Sequence, residues 1–244
     1  ATSKTARSYR MTTSSRKVLV VAAHPDDEVL GCGATIANHS ERGDQVSVLI
    51  MAEGATSRLS KRERSVVMTE LTELNSAAQM ANSILGVKRL NLLDFPDNRM
   101  DSVDLLDVIK VVETEINEWQ PDIVYTHHVG DVNIDHRVIH DAVIAATRPL
   151  PGRKLQTVLF FEIASSTEWR PAASAYPFSP NWFVDITSHW QKKKLALEAY
   201  ASEMRSYPHP RSLEAVEYLA KWRGASVGYH YAEAFMLGRH ILGA

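Results

Sequence analysis

The chain has 244 residues, 45% of them hydrophobic, enough to build a real core in one large α/β domain. Lys plus Arg 27 against Asp plus Glu 29 leaves a net charge of −2, so there is no global basic face for nucleic acid. No apolar run approaches the roughly 18 residues of a membrane span, and the lone Cys32 excludes an intrachain disulfide framework and suits a reducing, cytoplasmic setting.

Residues 1–16 are polar, lack an apolar signal core and read as a mobile tail, with Met11 a candidate natural start; residues 17–244 read as one domain. Residues 17–23 form an apolar, β-rich run, and 28–42 read as a helix that buries Cys32. A second strand is expected over 45–51. Helical periodicity runs over 60–85 and ends at Gly86, a suitable C-cap. A third strand covers 87–93, a helix 103–119, a fourth strand 122–127 and a helix 134–147 stopped by Pro149. A fifth strand covers 157–163. Strands alternating with helices predict an α/β three-layer sandwich with a mostly parallel sheet. Beyond 165 the pattern loosens. SSTEWRPAASAYPFSPNWF, with three prolines and two tryptophans, reads as a long functional loop; helices at 190–204 and 212–223 are expected to pack over one end of the sheet.

Two polar clusters carry the chemistry. The first, His24-Pro-Asp26-Asp27-Glu28, ends the first strand; the second, THHVGDVNIDHRVIH at 126–140, ends the fourth. In the strand order 3-2-1-4-5 these strands are neighbours, and their carboxyl ends frame the crevice where such sheets bind ligands. Histidines and carboxylates without thiols suggest a metal held by nitrogen and oxygen. Zn2+ fits best, with Fe2+, Mn2+ or Co2+ as the other divalent candidates. His24 and Asp27, three apart across a tight turn, can face one point, with His136 as a third ligand; Asp26 is then free to take a proton from the attacking water. The competing reading is an ordinary helix N-cap with Glu28 favoured by the dipole. Asp135 reads as a helix-start acid that also orients a ligand histidine. His140, one turn beyond His136, reads as a supporting or surface residue rather than a ligand. His127 and His128 end a strand, where one of them can reach the site or serve equally as a satisfied structural histidine.

The stretches AHPDDEVLGCGATIA and NIDHRVIHDA resemble the PIG-L (LmbE-like) family of metal-dependent N-deacetylases, over about residues 17–205. LNLLDFPDNRMD resembles the family's acid-containing loop after the third strand. The resemblance implies a Rossmann-like fold and removal of an N-acetyl group from a small aminosugar-containing, GlcNAc-type substrate. It implies His24, Asp27 and His136 as metal ligands and Asp26 as general base. One position departs from the pattern: many members carry a histidine where this chain has Asn133, which can donate a hydrogen bond to an oxyanion but cannot transfer a proton. His127, His128 or His209 are candidates for that second role, or Asp26 alone suffices. Arg99 and Arg211 are candidates for a phosphate or carboxylate, Trp169 for stacking on a sugar face, and Asp97, His127 and His209 for further substrate contacts. Competing functions are a hydrolase of another bond, such as a phosphoester, and a nucleotide-binding module. The latter is disfavoured by acids where a pyrophosphate would sit and by the lack of G-x-G-x-x-G after the first strand. Aromatic loops leave homo-oligomer contacts open.

Overall fold

The computed structural model describes residues 15–242. Strand β1 (Lys17–Ala22) sends Val18, Val20 and Ala22 into one hydrophobic cluster and Leu19 and Val21 into the other. Burial on both faces explains why its sequence is continuously apolar rather than alternating. It pairs in parallel with β2 (Gln45–Ala52) on one side and β4 (Ile123–His127) on the other. Outside these lie β3 (Arg89–Phe95) and β5 (Thr157–Phe161), both parallel to their neighbours. Helices α1 (Asp27–Glu41) and α2 (Met68–Leu85) cover one face, while α3 (Leu105–Trp119) and α4 (Ile134–Ala146) cover the other. The expected three-layer order 3-2-1-4-5 is present.

The chain beyond β5 contributes more than a loop and helices. After β6 (Trp182–Asp185), α5 (Trp190–Ala199) and α6 (Leu213–Ala225), the chain returns as β7 (Ala232–His240). The full sheet order is β3-β2-β1-β4-β5-β7-β6, with β7 antiparallel to both β5 and β6. Local pattern conceals these two strands. β6 has only four residues and lies at an edge, and β7 becomes exposed along its second half. The helix expected from residue 60 starts at Met68 instead. Tertiary ion pairs hold the preceding segment: Arg62 Nε and Arg64 Nε each reach the buried Glu53 carboxylate at 2.8 Å. Likewise α5 ends at Ala199 rather than 204, and Glu203 reaches back to Arg58 at 2.9 Å. Residues 1–14 of the expected tail lie outside the described residues. Ser15 Oγ donates to Gly43 O at 2.7 Å and Arg16 N–H to Asp44 Oδ1 at 2.9 Å.

Helix α1 carries the first cluster and is held firmly. It breaks at Cys32, whose φ of −150° is non-helical. The N–H groups of Ala34 and Thr35 donate to Glu233 of β7 at 3.1 and 2.7 Å. Lys193 of α5 balances that buried carboxylate at 2.6 Å and also donates to Leu30 O at 2.8 Å. Nearby, a Cβ on Gly31 would sit 2.5 Å from the Phe161 ring, so this position brings α1 against β5. No helix of the described residues is long and apolar enough to cross a membrane.

Candidate metal centre and active site

Because β1 and β4 are paired, the segments leaving their carboxyl ends meet. They frame a cavity of about 550 Å³ whose lining includes His24, Asp26, Asp27, Asn133, His136 and Arg211. At the turn into α1, Asp26 adopts φ 108°, a left-handed conformation costly for a residue with a Cβ. Its neighbours hold it there: Asp26 N–H donates to Glu28 Oε2 at 3.1 Å, and Asp26 O accepts from Val29 and Leu30 N–H at 3.0 and 2.9 Å.

Asp27 Oδ2 is the centre of the cluster. It accepts from His24 N–H at 2.9 Å and lies 3.2 Å from both His24 Nδ1 and His136 Nε2. The other ring nitrogens are occupied. His24 Nε2 faces Asp135 Oδ2 at 3.0 Å, and His136 Nδ1 faces Asp131 Oδ2 at 3.1 Å. With those N–H groups donated to carboxylates, Nδ1 of His24 and Nε2 of His136 turn lone pairs toward a third carboxylate. Only a shared cation, a proton or a metal ion, makes that arrangement favourable. His136 Nε2 is buried and has no hydrogen-bond partner, and the three ligand atoms lie within 4.8 Å of one another. The donor set fits a divalent ion with positions left open, each histidine oriented by an outer carboxylate.

His24 with Asp97 and Asp135 forms a second close group. Its acids are already engaged. Asp135 accepts from Asn98 and Met100 N–H at 2.6 and 2.9 Å, and Asp97 from Ser57 N–H and Asn98 Nδ2, each at 2.9 Å. This group orients His24.

The electrostatics follow from burial and close charges. Burial alone would lower the His136 pKa, but Asp27 and Asp131 outweigh it and raise it to about 9. Burial likewise opposes the charge on His24, and hydrogen bonds to Asp135 and Asp27 overcome it, leaving its pKa well above the usual value. Burial would raise Asp27, but the His136 and His24 imidazoles hold it well below the carboxylate range. Asp26 behaves oppositely. Burial pushes its pKa well up, reinforced by Asp27, Glu203 and Glu28 and opposed by Arg211, whose Nη1 donates to Asp26 Oδ2 at 3.1 Å. Glu28 is raised to about 7 by burial, although its Oε1 accepts from Tyr200 Oη at 2.8 Å and Asn82 Nδ2 at 2.9 Å.

Among the residues anticipated from sequence, His24, Asp26, Asp27, His136, Asn133, Asp97, Trp169 and Arg211 share the cavity wall. Asp135 and Glu28 support it from below, as described. Asn133 is the N-cap of α4: its Oδ1 accepts from Asp135 N–H and its Nδ2 donates to Asn98 Oδ1, each at 2.9 Å. One amide hydrogen remains for a ligand. Four others do not line the cavity. His127 is fully buried beneath the site, stacks on His136 at 3.9 Å, lies 3.7 Å from Asp27 Oδ2 and accepts from Ala23 N–H at 2.8 Å. His140 binds His127 O through Nδ1 at 2.9 Å and so ties α4 to β4. Arg99 lies outside the cavity wall, where its Nη2 donates to Leu59 O at 2.9 Å. His209 also lies outside it, accepting from Arg211 N–H at 3.0 Å and meeting the Trp169 edge at 5.6 Å.

Sequence reasoning missed Asp131, which holds His136 and also accepts from Ser166 Oγ and Thr167 Oγ1. Asp131 lies inside the second cluster, and an acid five residues before a ligand histidine was the available signal. It also missed Arg58, Glu203 and Arg205, which line the cavity from distant segments with no local signature.

A doubly wound sheet with two histidines, a carboxylate and an adjacent free acid at its switch point defines the class of α/β protein equipped for metal-assisted attack of water. The chain belongs to the PIG-L family: the family pattern described as GlcNAc-PI de-N-acetylase matches residues 19–147. It is 32% identical to 4-oxalmesaconate hydratase of Pseudomonas putida, covering 81% of this chain and 78% of the relative. It is 26% identical to diacetylchitobiose deacetylase of Thermococcus kodakarensis, covering 89% and 81%. N,N'-diacetylchitobiose deacetylase of Pyrococcus horikoshii, solved with its inhibitor MPG, shares the fold with a TM-score of 0.71 at 21% identity, covering 93% of this chain and 85% of that one.

Proposed function

We propose that the protein is a divalent-metal-dependent deacetylase that hydrolyses the acetamide of a small, GlcNAc-type aminosugar conjugate. The carrying observation is the meeting of His24 Nδ1, Asp27 Oδ2 and His136 Nε2 beside Asp26, an acid the ligand set does not use. These three residues would hold the ion, for which zinc is the first candidate. When bound, it supplies polarisation of the amide carbonyl and a water that ionises near neutral pH. Asp26 takes the proton from the attacking water through its carboxylate and returns it to the departing amine nitrogen. Arg211 aims Asp26 by pairing with Oδ2 and opposes its protonation. The free amide hydrogen of Asn133 is the donor for the developing oxyanion. Asp131 and Asp135 fix the ring orientations of His136 and His24. The single buried thiol suits work in the reducing cytoplasm.

The test is acetate release from N-acetylglucosamine derivatives by purified protein, with metal analysis on the same sample. A protein that binds no added zinc, iron, manganese or cobalt sinks the proposal. The hydratase relative supports a second reading, addition of water to a conjugated double bond at the same centre. Loss of ultraviolet absorbance from an unsaturated dicarboxylate, without acetate release from any amide, would favour it.

A further inference from the structure

Among the described residues, four non-glycine positions hold a positive φ: Asp26 at 108°, Asn98 at 54°, Gln120 at 53° and Ser165 at 68°. Three of them, Asp26, Asn98 and Ser165, line the same cavity. Such backbone persists only where its surroundings impose it, and it gathers at sites that need a fixed geometry. Asp26 is the candidate base, and Asn98 N–H holds Asp135 at 2.6 Å. Ser165, in the turn after β5, reaches the site by another route.

Glu168 imposes the Ser165 conformation. Its Oε1 accepts from Ser165 N–H at 2.6 Å and its Oε2 from Ser166 N–H at 3.2 Å. Thr167 closes the turn: its N–H donates to Ile163 O at 2.9 Å, and its Oγ1 accepts from Ile163 N–H at 2.8 Å. Ser165, Ser166 and Thr167 are all buried. Two arms leave this turn. On one, Ser165 Oγ accepts from Arg211 Nε at 3.1 Å, and Arg211 Nη1 donates to Asp26 Oδ2 at 3.1 Å. Two bonds from one planar guanidinium fix its orientation. On the other, Ser166 Oγ and Thr167 Oγ1 donate to Asp131, whose Oδ2 faces His136 Nδ1 at 3.1 Å. Three consecutive residues therefore tie the candidate base and a candidate ligand to one strained turn.

We infer that Ser165 is a positioning residue: its hydroxyl holds the Arg211 guanidinium, and through it Asp26, in fixed relation to the His136 arm. The inference goes beyond the proposed reaction and rests on it only for the role of Asp26 as proton acceptor.

Ser165→Gly tests it, because glycine adopts a positive φ freely and the change removes the hydroxyl. The first readout needs no reaction. In nitrogen-15-labelled full chain, the Arg211 Nε–H signal, assigned by its absence from Arg211→Gln, is expected to be protected from exchange. Ser165→Gly is expected to speed that exchange at least about ten-fold, with circular dichroism unchanged. The second readout is acetate release from N-acetylglucosamine derivatives. Ser165→Gly is expected to lower kcat about ten-fold, with KM and bound metal within about two-fold of wild type. In the Arg211→Gln background the same change is expected to cost less than about two-fold, since Ser165 acts through Arg211. A turn that only supports the fold would cost the same in both backgrounds. Ser165→Asn, which tolerates a positive φ and restores an acceptor, regains part of kcat. Should Ser165→Gly not fold, Ser165→Ala carries the same expectations. An unprotected Arg211 Nε–H, exchange that Ser165→Gly leaves unchanged, or an equal loss of kcat in both backgrounds would overturn the positioning role. Protection that depends on Ser165, without acetate release from any amide, retains that role and removes the deacetylase reading. Acetate release with Arg211 Nε–H unprotected does the reverse.

Discussion

Arg211 and Asp26 stand 185 residues apart in sequence and meet at 3.1 Å, one supplying the charge that opposes protonation of the other. Burial and three neighbouring acids favour the protonated form of Asp26, and Arg211 opposes them. Replacing Arg211 with Gln therefore raises the Asp26 pKa further. A base must be ionised to work, so the acidic limb of the kcat/KM profile is expected to move to higher pH, with a loss of at least about ten-fold at pH 6. An unmoved limb would separate Arg211 from Asp26 function.

Asp26→Asn removes the proton acceptor without touching the ligand set. Acetate release is expected to fall by about 10²–10⁴ while bound metal stays at the wild-type level. Both are measured on one preparation, since loss of metal would instead make Asp26 a ligand.

The raised pKa of His136, about 9, means that metal-free protein carries a proton there at neutral pH. Metal ligation requires the neutral ring. Binding at pH 7 is thus expected to release about one proton from this residue, and affinity is expected to fall as pH drops below 9. Calorimetry in buffers of different ionisation enthalpy counts the protons; none released would contradict the assignment of His136.

Asp131→Asn weakens the orientation of His136 without removing a ligand atom. A 10–100-fold loss of metal affinity is expected, measured by competition with a chelator, with the fold retained by circular dichroism.

Glu28 links stability to pH. Its folded pKa of about 7 exceeds the ordinary 4.5 because burial favours the protonated form. The folded state therefore holds this proton more tightly than the unfolded chain. The contribution is fully present below pH 4.5 and is lost as pH rises through 7; it amounts to something on the order of 3 kcal/mol. Denaturant unfolding of metal-free protein at pH 5 and pH 8 should show this fall, and Glu28→Gln should flatten it. An equal fall in the variant would assign the effect to other groups.

The grouping of the candidate ligands was legible because it is local. His24, Asp26 and Asp27 lie within one turn after a buried strand, and His136 opens the helix after another, so strand order alone predicts that they meet. The parallel core was legible for a similar reason: β1 and β4 are buried on both faces, and such strands need unbroken apolar runs. The positions of His127 and His140 were less legible. Spacing along a strand or helix does not say whether a ring faces the cavity or the layer beneath it; His127 stacks on His136 and His140 binds the His127 carbonyl, neither of them lining the cavity.

By itself the sequence determined which groups could hold a cation and which acid stood free beside them, since those contacts span a few residues and are dictated by backbone geometry. Only the tertiary structure decided what surrounds them. Asp131 on His136, Arg211 on Asp26, and Arg58 and Arg205 on the rim come from loops whose local sequence carries no period. β6 and β7 joined the sheet through long-range pairing with β5. Such contacts are set by how far-apart segments bury their charges against one another, and no single stretch of this chain contains that information.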